Sequence, residues 1–402
     1  MTDSAATSPN LFARRPSGVC AVVTGQVGLD KKPLLERLVH MAAERGRNVT
    51  LLNVGDMMYG EAPDVVAGRI LDLPLSRLNS LRRAVFKDIL AQAEQAEHLI
   101  VNTHATFRWR HGLFPAFDHD QMVMLGADLY ITIVENVDAV HERLNREHDV
   151  AHSLKDLLVW REEEVLATQL LAEAVRGHGS FYIVAQAPDA LADPVETLYR
   201  LLFEPERKRV YPSFPMTLIM NEPAIRAQVN TFRQAMSDHF TVFDPDDLDE
   251  RRLLLEAAEA TRQGRDTITL TVHNRRLTFS AAEIAGIARD IDGQIYARDF
   301  KLIEQADMIV SYLPEMPDGR PALSSGVERE LQHAHEATKE VYVIWRARID
   351  PSPFITETAT RVFADLQEAF DFFQKKGYVK DVQMSLPCVD VCSDRESTSP
   401  SI

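Results

Sequence analysis

Cysteine is scarce: Cys20, Cys388 and Cys392 are the only three in 402 residues. One lies in an apolar run and two in a polar C-terminal stretch. Neither a disulfide framework nor a zinc-type spacing can be drawn from them, and a reducing, cytoplasmic setting is expected. No apolar run approaches the roughly 18 residues that read as a membrane span, and the N-terminus lacks an apolar signal core. Basic charge is also short. Lys and Arg number 44 against 60 Asp and Glu, a formal charge of −16. That excludes the broad basic surface of a nucleic-acid or anionic-membrane binder. It leaves room for a small anionic ligand, which a few local arginines can hold.

Hydrophobic residues, 45% of the chain, suffice for two cores, and the length suggests two domains. Residues 1–17 are small and polar and read as a disordered tail. Strand patterns at 19–24, 48–54, 98–102, 128–135 and 181–185 alternate with helical patterns at 32–46, 76–96 and a charged stretch reaching about 176. This alternation predicts a parallel sheet covered on both faces, over 18–205. Glu204 to Pro215 holds three prolines and a charge cluster, so 206–215 reads as a linker. The α/β pattern then restarts over 216–379. It has strands at 216–220, 240–243, 308–313 and 340–345, helices at 223–238, 281–291 and 325–337, and a hairpin or irregular insertion at 267–279. A second, smaller Rossmann-like (flavodoxin-like) domain follows from this pattern. Residues 380–402 are Ser-rich and read as a second disordered tail. No internal repeat links the halves.

A phosphate-binding loop aims backbone N–H groups and a helix N-terminus at an anion, with the pattern G-x-x-x-x-G-K-[ST]. After the first strand stands Thr24-Gly25-Gln26-Val27-Gly28-Leu29-Asp30-Lys31-Lys32. Gly25 and Lys31 fit the pattern. Asp30 replaces the second Gly, and Lys32 replaces the hydroxyl that would hold Mg²⁺. A carboxylate ~4 Å from a phosphate charge would repel it by roughly 4 kcal/mol at an intermediate dielectric. An ordinary strand–loop–helix with incidental glycines accounts for this loop equally well.

Further motifs follow in order. Asn53-Val54-Gly55-Asp56 ends the second strand. Asn102-Thr103-His104-Ala105-Thr106, then Gly112-Leu113-Phe114-Pro115, follow the third, and Arg143 and Arg146 lie in the helix beyond Glu135. In this order the 18–205 region resembles the archaeal-type adenylate kinases, which are P-loop nucleoside-monophosphate kinases. The resemblance implies a P-loop fold, ATP as cofactor and a nucleotide or nucleoside monophosphate as partner. It implies phosphate- or nucleotide-binding roles for Gly25, Gly28, Lys31, Lys32, Asp56, Thr103, His104, Arg108, Arg143 and Arg146. Mg²⁺ would come with ATP, although its usual Ser/Thr ligand is absent and Asn102 stands where the family is acidic. Three outcomes stay open: an active kinase, a nucleotide binder without efficient transfer, and a structural relic. Loop packing is the alternative reading of Trp109 and Phe114, and a helix cap or a backbone bond that of His104. Arg82 and Arg83 are either solvated or within reach of a monophosphate.

In the second half, Tyr296-Ala297-Arg298-Asp299 runs to Ala306-Asp307-Met308-Ile309-Val310. Ser324-Ser325-Gly326-Val327-Glu328-Arg329-Glu330-Leu331 follows. These stretches resemble the nucleoside 2-deoxyribosyltransferases, especially their deoxynucleoside-monophosphate N-hydrolase branch. The resemblance implies catalysis by Glu330, as nucleophile, and Asp299, as second carboxylate. Paired carboxylates divide labour this way at glycosidic bonds. Ser324, Ser325 and Gly326 would hold a 5′-phosphate at a helix N-terminus. By resemblance alone, a homo-oligomer is expected. Glu222, Glu328, Arg329 and Gln332 depart from the family pattern. A binding-only pocket, or helix-start acids placed by the dipole, remain alternatives. Three functions therefore stand side by side: a nucleotide-processing enzyme, a catalytically degenerate nucleotide sensor or regulator, and an NAD-type N-glycosidase.

Overall fold

The computed structural model describes residues 18–66, 68–109, 112–147, 152–187, 190–272 and 274–380. The tail expected at 1–17 and, Lys380 apart, the one expected at 380–402, with Cys388 and Cys392, lie outside them, as does the segment 148–151.

The N-terminal unit runs β1 (Cys20–Thr24), α1 (Lys31–Glu44), β2 (Val49–Asn53), α2 (Val54–Glu61), α3 (Leu75–Ala93) and β3 (His98–Asn102). It continues with β4 (Thr106–Trp109), β5 (Gly112–Pro115), α4 (His119–Leu125), β6 (Leu129–Val134), α5 (Val137–Glu147), α6 (Leu154–Arg176), β7 (Phe181–Ala185) and α7 (Pro194–Phe203). Its main sheet is parallel, in the order β2-β3-β1-β6-β7. Every residue of β1 is buried, as a central strand covered on both faces requires. The run Val101–Pro115 is not one loop: β4 and β5 form an antiparallel hairpin.

The second unit runs β8 (Arg209–Ser213), α8 (Pro223–His239), β9 (Thr241–Val242), α9 (Arg251–Arg262), β10 (Thr267–Val272) and β11 (Arg275–Ser280). Then come α10 (Ala281–Gly286), α11 (Ala288–Gln305), β12 (Met308–Leu313), α12 (Ser325–Glu336), β13 (Glu340–Trp345), α13 (Pro353–Thr356), β14 (Arg361–Phe363) and α14 (Leu366–Lys375). Its parallel sheet has the order β14-β13-β12-β8-β9. The residues 267–280 form the hairpin β10–β11.

One expectation is corrected here. The stretch read as a linker contains β8, the first strand of the second sheet, and 216–220 is a turn instead of that strand. Three prolines suggested a boundary, but Pro212 is tolerated in β8 for a local reason. The short β9 pairs only with Arg209 and Val210, so the strand has a free edge at Pro212, where a missing N–H costs no ladder bond.

The units share a continuous core. Ile183, Val195 and Leu198 pack in one cluster with Tyr211, Leu302 and Ile309. Gln305 of α11 donates to the Ile183 carbonyl at 2.9 Å and accepts from its N–H at 2.8 Å, satisfying the open edge of β7. The β10–β11 hairpin, α9 and α10 pack on α5 and α6 through Leu144, Leu157, Leu253, Ile268 and Phe279.

Candidate functional sites

Two sites form at the carboxyl ends of the parallel strands, where open α/β sheets hold ligands. In the N-terminal unit, β1 turns at Gly25 (φ +150°) and Gly28 (φ +91°), and a Cβ at either would meet atoms at 2.7 Å. Gly28 to Lys32 have no backbone acceptor for their N–H groups among the described residues. The loop therefore offers donors, but its charges are already engaged. Lys31 is buried, donating to the carbonyls of Gly25, at 3.1 Å, and Thr103. Burial lowers its pKa to about 8 against the opposing effect of Glu164. His104 Nδ1 bonds the Gly25 carbonyl at 2.6 Å. Burial, with Lys31 beside it, holds that imidazole below its ordinary pKa. Asp30 lies against Arg143 at 3.0 Å, and Arg143 also pairs with Glu135 at 3.0 Å and donates to the Gly28 carbonyl.

Gly28, Lys31, Lys32, Asp56, Thr103 and His104 line one cavity of about 400 Å³ beside this loop. Lys32 and Asp56 close part of its rim as an ion pair at 2.7 Å. Arg82 lines it too. It is buried, bonds Pro115 and Asn79, leaves Nε unpaired, and has no carboxylate within ion-pair reach among the described residues. Arg108, Arg143 and Arg146 do not line the cavity. Arg108 pairs with Glu163 at 2.7 Å and Arg146 with Glu142 at 3.3 Å. Carboxylates on α6 and α5 have taken up Arg108 and Arg146, two of the cations expected for phosphate.

The residues do not fit a Mg²⁺ ion at the usual place. Lys32 carries a cation where a hydroxyl is needed, and Asn102 donates to Asn53 at 2.8 Å where an acid is needed. The loop N–H groups fit phosphate oxygens, provided that Lys31 leaves its two carbonyls.

Glu164 went unnoticed in the sequence and holds this site together. Fully buried, it accepts from the N–H groups of Gly25 (3.1 Å), Ala105 (2.7 Å) and Thr106 (2.8 Å) and from the Thr106 hydroxyl (2.6 Å). A signal existed: Arg161, Glu164 and Thr168 fall on the buried stripe of α6 with Leu157, Leu158 and Leu171.

In the second unit, Asp299, Ser324, Ser325, Gly326 and Glu330 all line a cavity of about 780 Å³. Ser324 caps α12 by accepting from the Val327 N–H at 3.3 Å. Glu330 is half-buried with its carboxylate end deepest, accepting from Tyr211 at 3.0 Å and Ser213 at 2.6 Å. Burial raises its pKa to about 7; the Ser213 hydroxyl opposes this and Asp299 adds to it. Burial likewise raises Asp299 to about 6, against the pull of Arg298. Tyr211 and Ser213 were missed because they lie on the strand read as linker.

The two sites are joined by a chain of polar contacts that starts at the exposed Asp30 and is buried from Arg143 onward. From Asp30 the chain runs through Arg143 to Glu135. The Glu135 carbonyl accepts from Arg161 at 3.2 Å, and Arg161 pairs with Glu250. Glu250 lies 3.5 Å from Arg298, which lies 3.5 Å from Asp299. Burial works against the charge of Glu250, but Arg161 and Arg298 outweigh it and hold the carboxyl below its ordinary pKa. Val137, Asn136 and Asp138 reinforce the junction through Glu250, Asp249 and Arg252.

No family model matches the chain. Among solved structures, the shikimate kinase of Bacteroides thetaiotaomicron is 13% identical with a TM-score of 0.33, over 46% of this chain and 97% of that one. The shikimate kinase of Acinetobacter baumannii, solved with shikimate, is 11% identical with a TM-score of 0.33, over 47% and 95%. A gluconokinase of Sinorhizobium meliloti is 16% identical with a TM-score of 0.27, over 48% and 92%. Each likeness spans about half of this chain, and at these identities and TM-scores it carries no argument about family, ligand or reaction. No helix among the described residues is long and apolar enough to cross a membrane.

Proposed function

We propose that the C-terminal unit cleaves the N-glycosidic bond of a nucleotide, with Glu330 and Asp299 as its paired carboxylates. One observation carries this reading: two carboxyl groups that retain protons toward neutral pH line a single cavity together with the N-terminus of α12. Groups so tuned suit acid–base and nucleophilic work. The Glu330 carboxylate attacks C1′ while the C1′–N pair leaves with the base, which takes a proton from Asp299. Water then opens the resulting ester at C1′, giving its proton to Asp299 and freeing Glu330. Tyr211 and Ser213 position Glu330. Backbone N–H groups and hydroxyls at Ser324 to Gly326 hold the 5′-phosphate.

The test is to incubate the purified protein with nucleoside mono- and triphosphates and deoxynucleotides and to separate products by chromatography. Free base from the wild type, lost in Glu330→Gln, supports the reading. Cleavage that survives Glu330→Gln overturns it.

A second reading concerns the N-terminal unit: it binds a nucleotide without efficient phosphoryl transfer and regulates the other site. The chain of polar contacts from Asp30 to Asp299 favours it. An anion entering the loop competes for Lys31 and Arg143, and so perturbs Glu135, Arg161, Glu250 and Arg298 in turn. ATP without Mg²⁺ is then expected to change the rate of base release, and Glu250→Gln to abolish that change. ADP formed from ATP and a monophosphate would overturn it.

A further inference from the structure

The glycosidic cavity does not stand alone. A second cavity, of about 410 Å³, adjoins it, and Phe214, Met216, Arg251 and Ile295 are walls of both. Pockets for a single ligand of drug size span roughly 300–1,000 Å³, so the first cavity is large enough for a mononucleotide by itself. The second is extra space, and its lining is distinctive.

Its apolar walls include Ile219, Met220 and Leu255, and its cations are arginines. Arg233 is engaged by Asp244 and Asp246, Arg252 by Asp138, and Arg298 by Glu250. Arg226 and Arg251 have no carboxylate within ion-pair reach among the described residues. Arg251 opens α9, is half-buried, and donates to the Thr217 hydroxyl at 2.8 Å. It stands where the two cavities meet. Asp246 and Asp249 also line the second cavity. Asp246 is paired, and Asp249 accepts from the Arg252 N–H at 3.3 Å. Arg251 makes no ion pair, although its charge favours the ionised forms of Asp299 and Glu330, and a guanidinium so placed between two cavities suits a phosphate that joins two halves of one ligand.

Resting on the glycosidic reading above, we propose that the substrate is a dinucleotide: two nucleosides joined by a diphosphate. The nucleoside to be cleaved occupies the Asp299–Glu330 cavity, and the diphosphate lies across Arg251. The second nucleoside fills the cavity of Phe214, Ile219, Leu255 and Arg226. The overall reaction is hydrolysis. A water oxygen forms the new bond to C1′, the C1′–N pair leaves with the base, and the proton of water is taken up by the carboxylate pair.

NAD and AMP are the probes, each given to the full-length protein as wild type, Arg251→Ala and Arg226→Ala. Base release is followed by chromatography and binding by calorimetry. The expected result is that NAD is bound and cleaved with the lower KM. Arg251→Ala should raise its KM about tenfold, ~1.4 kcal/mol, the loss of one charge-assisted contact. Arg226→Ala should raise it by a smaller factor, and AMP should feel each change less than NAD does. AMP used as well as NAD, or both losing equally in Arg251→Ala, overturns the dinucleotide assignment and leaves the glycosidic reading standing. No base from either probe, with none from the deoxynucleotides, overturns the glycosidic reading. The dinucleotide site then stands only if NAD still binds at least tenfold tighter than AMP through Arg251, and falls if it does not.

Discussion

The two sites occupy the same place in their sheets and treat charge in opposite ways. In the N-terminal loop, Lys31 is bound by carbonyls and Arg143 by Asp30 and Glu135, so the loop's own cations have partners within the protein, while Arg82 on the cavity wall has no carboxylate within ion-pair reach among the described residues. In the C-terminal cavity, Glu330 and Asp299 line one space with hydroxyls and Arg298 for partners and Arg251 acting on both, and both resist ionisation. A site whose charges are neutralised internally is stable and must be opened before it binds. A site whose charges are left at a cost is already poised for chemistry. The resemblances treated both halves alike as nucleotide sites, and the distribution of charge separates them.

The largest expected effect tests the poised site. Glu330→Gln should lower base release by roughly 10²–10⁴-fold, the range for a lost acid–base or nucleophilic group. If its rate falls less than tenfold, the two sites do not differ as argued. Next comes the junction between them. Glu250→Ala leaves Arg161 and Arg298 buried without their shared carboxylate, and should cost about 3–5 kcal/mol in urea unfolding.

A pH series then measures the strain stored in the carboxylate pair. Both groups titrate higher in the folded chain than in the unfolded one. Between about pH 4 and pH 7 the folded state therefore holds more protons, and stability falls as pH rises. Glu330→Gln removes part of this slope. It should stabilise the protein at pH 8 by about 1–3 kcal/mol, and by much less at pH 4, because each pKa unit is worth ~1.4 kcal/mol. Base release should be greatest between about pH 6 and 7, where the pair carries one proton; Glu330 is the more basic of the two, so the reactive form with the proton on Asp299 is the minor one of that state.

In the N-terminal loop a buried charge is also held at a cost, since burial lowers the Lys31 pKa to about 8, but there it binds partners that its removal strands. Lys31→Met leaves two carbonyls and Glu164 without their cation, and should destabilise by about 1–3 kcal/mol. It should also weaken ATP binding, and unchanged ATP affinity would remove the loop from the list of nucleotide sites. Arg108→Ala, which breaks a partly exposed pair with Glu163, should cost no more than about 1 kcal/mol.

Much of this was legible in the chain. The alternation of apolar strands with helical patterns placed β3, β7, β12 and β13 within a residue of where they lie. Period-based reading works for such strands because both faces are buried and their residues are uniformly apolar. It failed at β8, where prolines outweighed a short Val210-Tyr211 core segment. The grouping of Asp299 with Glu330, and of Gly28 with Thr103 and His104, came from motif order. The structure brings each group to one cavity.

Local pattern could reach the order of elements, because the spacing of apolar residues is a property of neighbours along the chain. It could not reach the partners of charged residues. Glu162, Glu163 and Glu164 are three adjacent acids, yet only Glu164 is buried under the phosphate-type loop. Nothing near Glu250 points to Arg161, 89 residues away. Whether a charge is solvated, paired or left unpaired depends on which distant segments meet around it. Folding alone brings those segments together, and at both sites that meeting sets the chemistry.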